Sequence, residues 1–324
     1  MNQSGVRSSK EGGAIGPAIS VVIVSYRCAE TLPECVGRVL ATELAVEVLI
    51  VDNGPGDGSV SALHGALAPL RTEAAGRAGR WRVIEQPGNP GFARACNLAA
   101  AQAQGQWLLL LNPDCYLPPA TLSRLHAEAK ELSELGLLGV LLEDARGRAE
   151  GASLRRDPVP LRALISALGG ARLARALGRP DWQVAISPPR LPGLIEVDAI
   201  SGALMLIRRD RYLALNGLDE GYFLHCEDLD LCRRARAAGW RNYVDTRLRV
   251  PHWKGTSSAS QPLSVAWHKH RGMLRYYHRF DRAGTGWPLH LLLLTGAWTR
   301  ILLQSPWLAL RQGLRKFGFG NRLG

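Results

Sequence analysis

Three carboxylates crowd the segment FLHCEDLDLCRRARAAGW (residues 223–240), where Glu227, Asp228 and Asp230 stand at the expected start of a helix. Upstream, Asp114 closes the apolar run LLLLNPDC (108–115), where a buried strand would emerge into a loop. Pro113 stiffens that approach, and Asp114 offers an oxygen of the hard type that Mg2+ or Mn2+ prefers. A carboxylate suited to such an ion and a second group of acids able to take up a proton together suggest an active site. Plainer roles stay open at this point. Asp114 could be a turn residue capping PPATLSRLHAEAK, and the three acids could complement a helix macrodipole, with RRARAA completing a surface helix that Gly239 stops.

The elements that must position these acids follow from the hydrophobic pattern. AISVVIVSY (18–26) is followed by TLPECVGRVL, VEVLIVDN (46–53) by SVSALHGALAPL, RWRVIEQ (80–86) by GFARACNLAAAQAQ, and then comes WLLLLNPD. Continuous apolar strands between amphipathic helices predict an α/β fold with a doubly wound, mostly parallel sheet, and such sheets bind ligands at the carboxyl ends of their strands. The polar residues there are Ser25 and Tyr26, Asp52 and Asn53, Glu85 and Gln86, and Asn112 and Asp114, so all four clusters should face one crevice. No GxGxxG follows the first strand and no GxxxxGK[ST] occurs, which argues against a dinucleotide site and a P-loop. Asp52 could accept from the N3–H of a pyrimidine or from a ribose hydroxyl; in the turn-rich DNGPGDGS it could equally cap a turn. In QPGNPGFARACN the glycines let backbone approach a ligand. The helix after Gly91 would aim free N–H groups at phosphates, with Arg94 as a charge partner, although the glycines could also serve the turn alone.

A net charge of +12, from 40 Lys and Arg against 28 Asp and Glu, suits nucleic acid, an anionic membrane surface or a phosphorylated substrate. The chain has no zinc-finger spacing, RNP-like aromatic strand or evident recognition helix, so no nucleic-acid partner is expected. Six cysteines without a CxxC pair predict reduced thiols and a cytosolic location. The lead MNQSGVRSSKEGGAIGP (1–17) lacks the apolar stretch of a secretory signal and reads as a disordered tail.

In order along the chain, VVIVSY, VDNGPGDGS, NPGFARACN, LLNPD, ISGALMLIRRD, FLHCEDLDLCRRARAAGW and HWKGTS resemble the family 2 glycosyltransferases of GT-A fold, especially their bacterial rhamnosyltransferase branch. The resemblance spans residues 18–280. It implies that Asp52 and Asn53, with the strand end at Ser25 and Tyr26, hold the nucleoside, and that the Gly91 loop with Arg94 and Asn97 lies along the donor. Asp114 matches the last carboxylate of the family's metal-binding DxD, whose first position is here the neutral Asn112, a departure that puts strict metal dependence in question. His252, in HWKGTS, matches a histidine that completes the metal site in some relatives; an isolated histidine is also commonly structural. By motif position Asp228 is the general base of an inverting transfer, Glu227 orients the acceptor, and Asp230 pairs with Arg233 or Arg234.

Between Glu143 and Glu196 the strand–helix alternation breaks. VPLRALISALGGARLARALGRP, with its Gly169–Gly170 interruption, could be an acceptor-side lid, a lipid-facing insertion or a plain helical hairpin. Near the end, Pro288 and Pro306 bracket 17 residues that include His290, Arg300 and Gln304, which strains a membrane-spanning helix. Those three side chains fall within an arc of about 80° at helical spacing. A helix lying in the membrane interface fits better, anchored by Trp287, Trp298 and Trp307 and by Arg311, Arg315 and Lys316; packing on the catalytic domain or at a dimer interface is the alternative.

The sequence therefore predicts a tail at 1–17, a GT-A domain at 18–280 with a nucleotide-sugar half (18–120) and an acceptor half (121–280), and a membrane-associating helical region at 281–324. Family resemblance adds an inverting transfer of L-rhamnose from dTDP-L-rhamnose, with Mg2+ or Mn2+, to a polyprenyl-diphosphate-linked glycan at the inner face of the plasma membrane. A UDP-hexose or UDP-galactofuranose donor, or a non-catalytic membrane scaffold, are the alternatives.

Overall fold

The computed structural model describes residues 16–68, 79–167, 170, 174, 176–253 and 261–316. All but two residues of the expected N-terminal tail, together with Gly169 and residues 254–257 of HWKGTS, lie outside the described residues.

Strands β1 (Ile19–Ser25), β2 (Val46–Asp52) and β4 (Trp107–Leu111) are buried along their whole length, as continuous aliphatic runs covered on both faces must be. Alternate side chains of β1 feed two cores: Ile19, Val21 and Ile23 enter one, Val22 and Val24 the other. The first core is closed by α1 (Leu32–Leu40) and α2 (Ser59–Leu67), with Leu32, Cys35, Val36 and Val39 of α1 at helical spacing. The second is closed by α3 (Phe92–Ala100), whose Ala95, Cys96 and Ala99 are small enough for close approach to the sheet.

With β3 (Gly79–Glu85), β5 (Leu135–Glu143), β6 (Leu194–Val197), β7 (Leu204–Arg208) and β8 (Arg241–Pro251), the eight strands form one sheet in the order β3-β2-β1-β4-β7-β5-β8-β6. Strands β3, β2, β1 and β4 are parallel, β7 is antiparallel to both β4 and β5, β8 is parallel to β5, and β6 is antiparallel to β8. The mostly parallel, doubly wound expectation therefore holds, with the antiparallel strands confined to the second half. Chain order reverses between β1 and β4, which opens a crevice at their carboxyl ends.

The second half also carries α4 (Thr121–Glu131), α5 (Pro160–Ala167), α6 (Arg209–Ala214) and α7 (Glu227–Ala237). Helix α8 (Pro262–Phe280) lies against the start of α7: a Cβ on Gly272 would come within 2.8 Å of the His225 carbonyl. Ion pairs fasten the two helices, Arg233 to Asp281 at 2.8 Å and Arg279 to Asp230 at 3.1 Å.

Helix α9 (Trp287–Lys316) runs straight through Pro306, so the expected proline bracket does not hold; the proline removes one N–H and leaves the remaining ladder to continue the helix. The three polar side chains divide, with Arg300 exposed. His290 is buried, 2.9 Å from the Tyr277 hydroxyl, and Gln304 lines a groove of about 480 Å3 between α8 and α9 with Leu263, Trp267, Ile301 and Leu308. Leu291, Leu292, Trp298, Leu302, Leu303, Trp307 and Leu310 are exposed as well. No helix among the described residues is long and apolar enough to cross a membrane. The side chains of Arg311, Arg315 and Lys316 lie outside the described ones.

Candidate active site

Parallel register alone sets Ser25 beside Asp52 and Asp52 beside Glu85, at the ends of β1, β2 and β3. The ladder runs one step further, with the Asn53 N–H donating to the Ser25 carbonyl (2.9 Å) and the Gln86 N–H to the Asp52 carbonyl (3.2 Å). The buried Ser25 hydroxyl lies 3.4 Å from Cys28 Sγ, while Tyr26 is partly exposed under the Arg27 guanidinium. Burial pushes the Asp52 carboxyl up, partly offset by the Gly54 N–H that donates to Oδ1 at 3.1 Å. Asn53 donates to Asn89 Oδ1 and to the Gly91 carbonyl, both at 3.3 Å, and keeps a buried Oδ1 with no hydrogen bond.

Gly91 adopts φ +98°, and a Cβ there would meet the Phe223 carbonyl oxygen at 2.6 Å. The Phe92 N–H, the first of α3, donates to that same carbonyl at 2.9 Å, so the helix start expected to offer free N–H groups is partly closed by the segment leading into α7. Arg94 pairs at the surface with Glu220 (3.0 Å). Asn97 holds the turn after α6, accepting from the Tyr212 hydroxyl (2.6 Å) and the Leu218 N–H (3.0 Å) and donating to the Leu218 carbonyl (2.9 Å). The structure thus gives Arg94 and Asn97 protein partners. Gly91→Ala is expected to lower stability by about 1–3 kcal/mol, through the strained φ and the backbone contact; chemical denaturation with an unchanged midpoint would refute this.

Asp114 and His252 meet although they close different strands. The Cys115–His252 bridge and the Trp253 N–H to Asp114 carbonyl bond (3.0 Å) bring the end of β8 against the loop after β4. His252 Nε2 lies 3.2 Å from Asp114 Oδ1, a buried oxygen that accepts no well-aligned hydrogen bond. Glu150 holds the other ring nitrogen, with Oε1 3.2 Å from Nδ1. It reaches there because the turn at Asp144–Gly147 folds the chain back along β5, where Glu150 N–H bonds the Leu142 carbonyl at 2.8 Å. Burial opposes charge on His252, but the flanking carboxylates of Asp114 and Glu150 outweigh it and hold the imidazolium up to about 9. One ligand atom from each of Asp114, Cys115 and His252 lies within 4.8 Å of the others. With the proton off Nε2, that imidazole, oriented by a second carboxylate, and the buried Oδ1 of Asp114 fit a divalent ion. Asn112 sits at the same strand end, its N–H on the Ala203 carbonyl at 2.9 Å.

The three acids of α7 are buried, which removes the exposed-helix alternative. The helix begins at Cys226 with no side-chain cap, after two non-glycine residues of positive φ, His225 (69°) and Cys226 (74°). Such strain persists only where surrounding packing enforces it. Asp230 is fully enclosed and pairs with Arg234 at 2.5 Å, as one of the two expected pairings; Arg233 goes to Asp281. Asp228 Oδ2 lies 2.5 Å from the Arg155 guanidinium and accepts the Gly202 N–H at 3.0 Å, while Oδ1 accepts the Leu229 N–H at 2.8 Å. Beside it, Glu227 has a buried Oε2 with no hydrogen bond.

The turn Ser201–Ala203 joins the two acidic groups, since Gly202 bonds Asp228 and Ala203 bonds Asn112. A Cβ on Gly202 would stand 3.1 Å from that of Asp228, so the glycine of ISG permits the approach. Arg155 and Glu150 escaped the sequence reading. Both come from the segment after β5 whose pattern breaks, and nothing local marks either as a partner for residues 73 and 102 positions away; only the turn signal at Asp144–Gly147 hints at the reversal.

The family model described as Glycosyl transferase family 2 matches residues 20–159. The chain is 30% identical over 266 residues to an N-acetylglucosaminyl-diphospho-decaprenol L-rhamnosyltransferase of Mycobacterium tuberculosis, covering 78% of this chain and 81% of that one. It is 28% identical over 172 residues to the rhamnosyltransferase WbbL of Escherichia coli, covering 50% and 61%. Among solved structures, a mannosyltransferase from Pyrobaculum calidifontis in complex with GDP-Man and Mn2+ superposes with TM-score 0.54 at 16% identity, over 91% of this chain and 72% of that one. GalNAc-T7 with UDP, GalNAc and Mn2+ gives 0.55 at 16% identity, over 82% and 48%. At such identity these two likenesses concern the fold.

Proposed function

The chain belongs to the family 2 glycosyltransferases, and from that premise we propose that it transfers L-rhamnose from dTDP-L-rhamnose, with inversion, to a polyprenyl-diphosphate-linked glycan. The observation that carries a transferase mechanism is the single turn, Ser201–Ala203, that holds Asp228 beside the Asn112–Asp114 strand end. The sugar and acceptor rest on the relatives of Mycobacterium tuberculosis and Escherichia coli.

In this reading Ser25, Tyr26, Asp52 and Asn53 hold the nucleoside, with Gly91 allowing the backbone near it. Arg94 and Asn97 support that wall through the turn at 218–220. Asp114 and His252 would hold Mg2+ or Mn2+, with Asn112 beside them and Glu150 orienting the imidazole; a bound divalent ion offsets charge on the diphosphate. Asp228 takes the proton of the acceptor hydroxyl as its oxygen bonds to C1 of the sugar. The bond from C1 to the diphosphate breaks on the opposite face, and the nucleoside diphosphate leaves with the electron pair. One displacement by one base gives inversion.

Calorimetry of the purified protein against a panel of nucleotide-sugars, with and without Mg2+ or Mn2+, tests this. Metal-dependent preference for dTDP-L-rhamnose is the expected result. Preference for a UDP-sugar would replace the donor, and binding of none would favour a scaffold.

The acceptor's lipid anchor demands a membrane surface, and the exposed row on α9 supplies a face for it: Leu302, Leu303 and Trp307 are 69%, 76% and 58% exposed. In this reading the protein sits peripherally on the inner face of the plasma membrane, with the net charge of +12 favouring anionic lipid. Changing Leu302, Leu303 and Trp307 together to Ser is expected to weaken co-sedimentation with phosphatidylglycerol vesicles at least about tenfold, since each buried side chain contributes about 1.5–3 kcal/mol. Unchanged sedimentation would exclude this face. Substitution is a cleaner probe than removing residues 287–324, because α9 also covers α8.

A further inference from the structure

We propose that Arg155 is the positioning residue of the transfer, clamping Asp228 in place as an ionised carboxylate. This rests on Asp228 being the base, and the tests below separate the two ideas.

Arg155 is built in place. Its backbone exchanges two 3.0 Å hydrogen bonds with Ala199, at the far end of the segment that carries Ser201–Ala203. Its side chain is 14% exposed, touches the Ile200 carbonyl and places one nitrogen 2.5 Å from Asp228 Oδ2. The same oxygen accepts the Gly202 N–H, so two donors from two directions fix the carboxylate plane. Oδ1 carries only the adjacent Leu229 N–H and retains a lone pair for a hydroxyl.

Neighbouring buried acids do not both ionise readily. The guanidinium's only carboxylate partner in this pair is Asp228. Burial opposes charge on both; Arg155 overcomes it at Asp228 and holds that carboxyl below its usual range, whereas burial and then the Asp228 charge push Glu227 up. Among the described residues, thiols that burial pushes up also stand near the pair: Cys226 and Cys232 of α7, and Cys96 of α3. Lys269 of α8 acts on Cys226, and Asp157, itself an acid, acts on Cys232.

The experiment is a 13C NMR pH titration of protein labelled at the Asp and Glu side-chain carboxyls, with the Asp228 resonance assigned by Asp228→Asn. Arg155→Gln keeps a donor for the Ile200 carbonyl but removes the charge. It is expected to move the Asp228 titration up by about 1–3 pH units, and Arg155→Lys to restore most of the shift. The acidic limb of the transfer pH profile should move in the same direction. An Asp228 titration in Arg155→Gln that matches the unsubstituted protein would overturn the clamp, as would a rate that falls uniformly at every pH. Near-normal turnover of Asp228→Asn would instead remove Asp228 as base, with the NMR titration still deciding what Arg155 holds.

Discussion

Asp228→Asn is expected to lower sugar transfer by about 10²–10⁴-fold, the range for losing a general base, while donor binding persists. The amide fills the same space and keeps a carbonyl oxygen for the Gly202 N–H, but it cannot take a proton from the acceptor hydroxyl. The substitution also leaves the enclosed Arg155 guanidinium without its counter-charge, and breaking such a pair costs about 3 kcal/mol. Thermal unfolding must therefore accompany the rate, with the assay run well below the variant's midpoint. Calorimetry of the nucleotide-sugar separates lost chemistry from a lost site. A folded Asp228→Asn protein with near-normal turnover would move the base elsewhere, to Glu227 first.

Asp114→Ala should weaken Mn2+ binding by more than about 100-fold, beyond the roughly 10–100-fold that outer partners of a metal ligand contribute. Its Oδ1 is the buried oxygen without a well-aligned hydrogen bond, 3.2 Å from the imidazole nitrogen that would share the ion. Glu150→Gln leaves both ligands and changes only what orients the ring, so about 10–100-fold is expected there. Electron paramagnetic resonance of free Mn2+ reads both effects without turnover. An unchanged affinity in Asp114→Ala would place the metal away from the end of β4. Asn112 makes a second comparison informative: Asn112→Asp restores the acidic first position and should tighten Mn2+, because a charged oxygen replaces a neutral one.

Helix α9 shows what an element's own pattern leaves open. Its helical character and lack of a spanning segment are evident from composition, and His290, Arg300 and Gln304 fall in one arc at helical spacing. Tyr277 captures His290 and α8 takes Gln304, while Arg300 stays exposed and the helix turns leucines and tryptophans outward. Helical periodicity defines two faces; the partner decides which of them is covered.

Strands β1 to β4, the helices between them and the acids at their ends are written locally, because a buried parallel strand must be a continuous apolar run and its carboxyl end must break into polar turn residues. The acidic start of α7 is legible for the same reason. Which cation meets which acid is not local. Arg155 to Asp228, Glu150 to His252 and Asn97 to the turn at 218 join segments far apart in the chain. The first two exist because β7 runs antiparallel between β4 and β5 and the chain reverses after β5, bringing the Ser201–Ala203 turn and the 150–155 segment over the crevice. Side-chain type and spacing set what each residue can do, and the long-range packing of the sheet selects the partner with which it does it.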